Sequence, residues 1–170
     1  MKKIKLCQPI YKFYMPEHIL IRDVLLSLLE KSNSYSSKID NICSLDWESA
    51  SDFKREWVSF FLPFWSEQAS KVLEEIGCEK YFLQDIWFQQ YSHAGNHGWH
   101  THRGNFTGVY YLELNKNSPG TEIEDPFSKR KSLIKVREGD MIFFPSHIRH
   151  RGAINTGNRK TIISWNFEVV

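Results

Sequence analysis

Six of the seven histidines in this chain fall between His93 and His150, and three of them crowd into NHGWHTH, Asn96 to His102. Neutral imidazole is the commonest protein ligand for transition metals, so such a cluster raises metal chemistry before anything else. His100 and His102 stand two apart at the mouth of a segment that reads as a strand. Alternate side chains of a strand share a face, with same-face Cα atoms ~7 Å apart, so two imidazoles spaced this way can converge on one ion. His93 and His97 lie an odd number of positions from His100 and would not share its face if the extended geometry continued to them. A third ligand from another strand is offered by His147 and His150 in GDMIFFPSHIRHRG. These two are three apart and cannot both face inward from one regular strand. Farther on, Arg159 and Thr161 are again two apart, so a guanidinium and a hydroxyl can project to one side of the last strand.

These residues need elements to hold them. From Pro16 to Glu30, apolar residues recur at helical spacing, and KSNSYSS ends the pattern. A second helical region is expected from about Ser51 to Glu75, interrupted or kinked at Pro63, with Gly77 as its C-cap. Its Trp57, Phe60, Phe61, Phe64 and Trp65 form an apolar face suited to packing on a sheet. After Lys80 the segments are short, rich in branched and aromatic residues, and separated by Gly, Asn, Pro and Ser. They read as strands, with no helices long enough for parallel crossovers. The expectation is one domain over 1–170, with a helical support region over 1–80 and a β core over 81–170. The fold class is mainly β with N-terminal helices: an antiparallel sandwich or barrel backed by helices.

Composition bounds the function. A chain of 170 residues with 41% hydrophobic and 25% charged residues is ordinary for a globular domain, and the 15% aromatic share predicts a bulky interior. A formal charge of +2, mixed along the chain, gives no basis for nucleic-acid or anionic membrane partners. Cys7, Cys43 and Cys78 are odd in number and in no CxxC arrangement, which fits a reducing compartment rather than a disulfide framework or a zinc ribbon. The basic start, MKKIKLCQPIYKF, lacks the apolar run of a signal peptide. No segment approaches the ~20 apolar residues of a membrane helix, and a cytoplasmic location is expected.

Taken in series, QYSHAGNHGWHTH, FTGVYYLEL, EGDMIFFPSHIRH and NRKTIISWNF resemble the iron(II)- and 2-oxoglutarate-dependent oxygenases, above all the small prolyl-hydroxylase-like families. The resemblance covers roughly Trp87 to Phe167. It implies a double-stranded β-helix, a jelly-roll barrel of the cupin kind, that holds Fe(II) through His100, His102 and His150. It also implies that Arg159, with Thr161 beside it, receives the distal carboxylate of 2-oxoglutarate. Tyr91 is expected to donate its phenol to the same cosubstrate, and Tyr110 is a second candidate donor. With dioxygen, the implied reaction is hydroxylation of a C–H bond in a prolyl, other amino-acyl or small-molecule substrate, releasing succinate and carbon dioxide.

One departure from the family pattern stands out. His102 occupies the place of the usual carboxylate, which leaves one more positive charge at the metal and a weaker preference for Fe(II) over zinc or copper. Asp125 in EIEDPF is the alternative acid, although a DP pair marks a turn. His147 and His97 are expected at the entrance or in ordinary hydrogen bonds, and Trp99 and Trp165 are expected to wall the cavity. A three-histidine cupin, acting as a cosubstrate-independent dioxygenase, an isomerase or a small-molecule binding module, is the rival reading. It gives no role to Arg159 and Thr161.

Overall fold

The computed structural model describes residues 9–38 and 40–170. Cys7 and most of the basic start lie outside the described residues.

The chain opens with β1 (Tyr11–Tyr14) and α1 (His18–Lys31), followed by a hairpin of β2 (Tyr35–Ser37) and β3 (Ile42–Leu45). After a 3-10 turn at Trp47–Ser49 comes the long helix α2 (Glu56–Ile76). The remaining strands are β4 (Tyr81–Tyr91), β5 (His97–His100), β6 (Phe106–Glu113), β7 (Thr121–Glu124), β8 (Lys131–Leu133), β9 (Asp140–Pro145), β10 (His150–Gly152) and β11 (Lys160–Val169). They form an antiparallel seven-stranded sheet in the order β1-β9-β6-β11-β4-β3-β2 and a four-stranded sheet in the order β5-β10-β7-β8. The described residues before β4 are therefore not purely a helical support: β1 pairs with β9 at one edge of the large sheet, and the β2–β3 hairpin joins β4 at the other.

The large sheet is buried on both faces, and alternation decides which residue goes where. Ile86, Phe88, Tyr110, Met141, Phe143, Ile163, Trp165 and Phe167 pack with Phe61, Trp65 and Val72 of α2 and with Leu25 and Leu29 of α1. The intervening residues, among them Tyr91, Val109, Tyr111, Ile142, Phe144 and Ile162, form a second cluster on the opposite side. Trp165 thus belongs to the core beneath the helices and does not wall a cavity. The apolar stripe of α2 makes this possible, and the helix runs through Pro63 unbroken. It ends at Gly77, whose left-handed φ of 71° lets Cys78 N–H reach the Leu73 carbonyl at 2.9 Å.

A buried carboxylate ties the layers together. Asp46 accepts from the Trp57 indole at 3.0 Å and from the Phe88 backbone at 2.8 Å, and it pairs with Arg55. Among the described residues, no helix is long and apolar enough to cross a membrane.

Candidate metal centre

β5 and β10 are antiparallel neighbours in the small sheet, and their register sets His100 directly opposite His150. Such cross-strand partners have Cβ atoms roughly 5 Å apart, so both imidazoles reach the same point. His102 follows two residues after His100, with its backbone N–H held by the Ser146 carbonyl at 3.1 Å. The three rings form one cluster: centroids lie 4.8 Å apart for His100 and His102, 4.4 Å for His100 and His150, and 5.0 Å for His102 and His150. One ring nitrogen from each lies within 4.8 Å of the others.

The donor set fits a transition metal. His100 Nδ1 bonds the Gly98 carbonyl at 2.7 Å and His150 Nδ1 bonds the Ile148 carbonyl at 2.8 Å. A carbonyl can only accept, so both Nδ1 atoms carry the proton and both Nε2 atoms are left as the nitrogens able to ligate a metal, that of His100 meeting His102 Nε2. Burial, reinforced by the neighbouring imidazoles, lowers His102 to about 2 and His150 to about 3; burial also lowers His100. All three are neutral near pH 7, the form a metal requires. His100 Nε2 and His102 Nε2 stand 3.1 Å apart, close to the edge of about 3.0 Å that two cis nitrogens make at ordinary metal–nitrogen lengths of about 2.1 Å. No acid joins them. Asp125 instead caps its own turn, accepting from Phe127 N–H and Ser128 N–H at 2.9 and 2.7 Å.

Around the triad lies a narrow hollow of about 30 Å³, lined among others by Trp87, Gln89, Tyr91, Thr121 and Ile162. It is continuous in lining residues with a cleft of about 650 Å³ that includes His97, His100 and His102. Tyr91 is fully buried and donates to Gln89 Oε1 at 2.7 Å; burial pushes its phenol up, so it stays a neutral donor. His97 stacks on His100 at 4.1 Å, a closer role than the entrance position expected from sequence, while His147 is exposed.

Three expected cosubstrate residues lie elsewhere. Arg159 pairs with Glu113 at 2.6 Å and Glu30 at 3.4 Å, and its side chain is 41% exposed. Thr161 faces the same way and donates to Glu113 Oε2 at 2.9 Å. Both belong to the alternation of β11 that carries Ile163 and Trp165 toward the helices. Tyr110 points into the helix-side core, stacks on Phe61 and bonds His18 Nδ1 at 2.6 Å. Its neighbour Tyr111 faces the other way and bonds Thr121 at 2.7 Å. Trp99 also faces outward from the small sheet, beneath Arg149, Arg151 and Lys131.

The cation that does face inward is Lys160, one residue from the expected position. It pairs with Tyr91 across β11 and β4, and its ammonium lies 4.7 Å from the Tyr91 ring centroid. It is 2% exposed and, among the described residues, donates only to the Pro119 and Ala153 carbonyls, at 3.3 and 3.4 Å. Burial alone lowers it to about 8. The signal was present in NRKTIISWNF: Ile163, Trp165 and Phe167 are the bulky set that packs on helices. The opposite set, Ile162, Ser164 and Asn166, takes Lys160 with it.

The fold defines a class, the double-stranded β-helix. No protein-family model and no curated protein matches the chain. Its solved structural neighbours include a 2OG-Fe(II) oxygenase-family oxidoreductase from Burkholderia pseudomallei (TM-score 0.74, 11% identity, 93% of this chain and 83% of that one). The viral collagen prolyl hydroxylase of Paramecium bursaria Chlorella virus-1, in complex with 2OG, aligns at a TM-score of 0.68 and 19% identity, over 95% of this chain and 96% of that one. A Trichoplax adhaerens prolyl hydroxylase, bound to a hypoxia inducible factor peptide fragment, gives 0.66 and 13%, over 92% and 82%. The chain therefore has the fold of the 2OG-Fe(II) oxygenases.

Proposed function

We propose that this chain is an Fe(II)- and 2-oxoglutarate-dependent oxygenase that hydroxylates a C–H bond of a prolyl, other amino-acyl or small-molecule substrate. The observation that carries the reading is the convergence of His100, His102 and His150 at a hollow whose lining includes Tyr91, with the buried Lys160 ammonium packed against the Tyr91 ring. When bound, the metal and 2-oxoglutarate supply the oxidising chemistry, with dioxygen consumed and succinate and carbon dioxide released.

The chain's own residues bind, orient and keep water out. The histidine Nε2 atoms hold the ion, and the backbone carbonyls of Gly98 and Ile148 fix two of the three rings. Lys160 takes the distal carboxylate of 2-oxoglutarate, the place expected of Arg159, and gains there the countercharge it otherwise lacks. Tyr91 is the second donor beside it. The helices and the aromatic core close the back of the large sheet, so the reacting molecules enter only by the cleft. The cupin reading accounts for three histidines but leaves the desolvated lysine against Tyr91 without a purpose.

The test is succinate formation by purified protein supplied with Fe(II), 2-oxoglutarate and air. Turnover is expected even without substrate, at a low uncoupled rate, and His150→Ala abolishes it along with stoichiometric metal. Absence of succinate, with wild type and His150→Ala retaining iron equally, contradicts the proposal.

A further inference from the structure

The inward-facing columns of β4 and β11 pair Tyr91 with Lys160, Gln89 with Ile162, Trp87 with Ser164, and Asp85 with Asn166. Six residues of strand separate the two ends by about 20 Å. The inner end carries an ammonium; the outer end, in the large cleft, carries acceptors. Asn166 is 1% exposed, and its Nδ2 donates to Asp85 Oδ2 at 3.1 Å, which fixes the amide's orientation. Its Oδ1 is therefore a buried acceptor with no donor among the described residues. Unpaired buried acceptors are rare, and one lining a cleft calls for a ligand that donates. Asp40 adds a second carboxylate to the same cleft. Trp47, 44% exposed, stands edge-on to Trp87 at 4.5 Å and lines the cleft as well.

We propose that the cleft selects its substrate by a protonated nitrogen, which donates to the Asp85 carboxylate and Asn166 Oδ1 and lies against the Trp47 indole. A primary ammonium offers three donors and a charge, which matches two adjacent acceptors and an aromatic ring better than a hydroxyl or a neutral amide does. Among the described residues Arg103 is the one Lys or Arg of the cleft lining, at its exposed rim, where solvent screens it. It would meet the carboxylate of a free amino acid and has no such partner on a basic side chain within a peptide. The substrate role of the bound molecule rests on the oxygenase reading; its binding does not.

Calorimetry on the full chain loaded with redox-inert Zn(II) and 2-oxoglutarate tests this. The probes are N-acetyl-lysine methylamide, its norleucine and glutamate counterparts, and free lysine. The capped lysine is expected to bind at least tenfold more tightly than the norleucine probe, with the preference lost in Asp85→Asn and weakened severalfold in Trp47→Leu. Free lysine binding more tightly than the capped form, through Arg103, identifies a free amino acid; the reverse order identifies a peptide side chain. Should Asp85→Asn not fold, the wild-type lysine-to-norleucine ratio and its decline with added salt decide the matter. Equal binding of the norleucine or glutamate probe, no measurable binding of either lysine probe, or an unchanged preference in Asp85→Asn overturns the assignment. Amine preference without any 2-oxoglutarate binding would sink the oxygenase reading and leave the cleft assignment standing. The converse would sink the cleft assignment alone.

Discussion

A buried lysine that faces no carboxylate lowers the stability of the protein that keeps it. Lys160 sits at about 8 against an ordinary 10.5, which corresponds to a penalty on the order of 3 kcal/mol while the side chain is charged. The folded state binds fewer protons than the unfolded state between those two values. The penalty is therefore complete below pH 8 and relieved as pH rises toward 10.5. Lys160→Met should raise the melting temperature of the ligand-free protein at pH 7, by a margin that shrinks above pH 8, while 2-oxoglutarate binding is lost. Calorimetric unfolding at several pH values reads the first effect. In wild type, 2-oxoglutarate affinity should be flat up to pH 8 and then fall, reaching about tenfold per pH unit, because binding above that point requires proton uptake. A flat profile to pH 10 would contradict an ammonium partner. At the metal, His102→Asp replaces a neutral donor with a carboxylate. Competition dialysis should show Fe(II) gaining on Zn(II) and Cu(II), and no change in that ratio would place His102 outside the metal's ligands. The spacing in sequence marks His100 and His102 as a same-face pair but leaves His147 and His150 both open; the family resemblance singles out His150, and it is the register of β5 and β10 that sets it opposite His100. The cation was not legible, since Arg159 and Lys160 are adjacent and only the direction of alternation in β11 distinguishes them.

Among the elements, the two faces of the large sheet divide structure from chemistry, and neighbouring residues fall on opposite sides of that division. Tyr110 and Tyr111 are the clearest pair: one stacks on α2, and the other bonds Thr121 beside the hollow. Tyr110→Phe removes the only hydrogen-bond partner that buried His18 Nδ1 has among the described residues and should cost about 1–3 kcal/mol in denaturant unfolding. It should leave 2-oxoglutarate affinity unchanged. A selective loss of affinity with stability intact would return Tyr110 to the cosubstrate site. Phe61→Ala, in the centre of the α2 face, should cost about 3–5 kcal/mol. The two helices were readable from their apolar spacing, and Gly77 from its place after the last periodic residue. β1, β2 and β3 were not: segments of four, three and four residues carry too few alternations to register against the stronger helical pattern around them.

On the scale of the whole molecule, α1 and α2 cover one side of the large sheet and the small sheet covers the other. The site occupies the gap between sheets, with cationic character at its inner end and acceptor character at its mouth. A ligand held only by the folded state stabilises it, so metal at one hundred times its dissociation constant adds about 2.7 kcal/mol. For a chain of this length that is a rise in melting temperature of roughly 5–10 °C, reversible by chelator and absent in His150→Ala. The central claim is narrower: a three-histidine ion and the Lys160 ammonium together hold one 2-oxoglutarate. Its most direct test is an anaerobic titration of 2-oxoglutarate into Fe(II)-loaded protein, comparing wild type, Lys160→Ala and Arg159→Ala. Binding should be one-to-one and metal-dependent, at least tenfold weaker in Lys160→Ala and within twofold of wild type in Arg159→Ala. Affinity that survives without metal, or that falls with Arg159 and not with Lys160, would contradict the account.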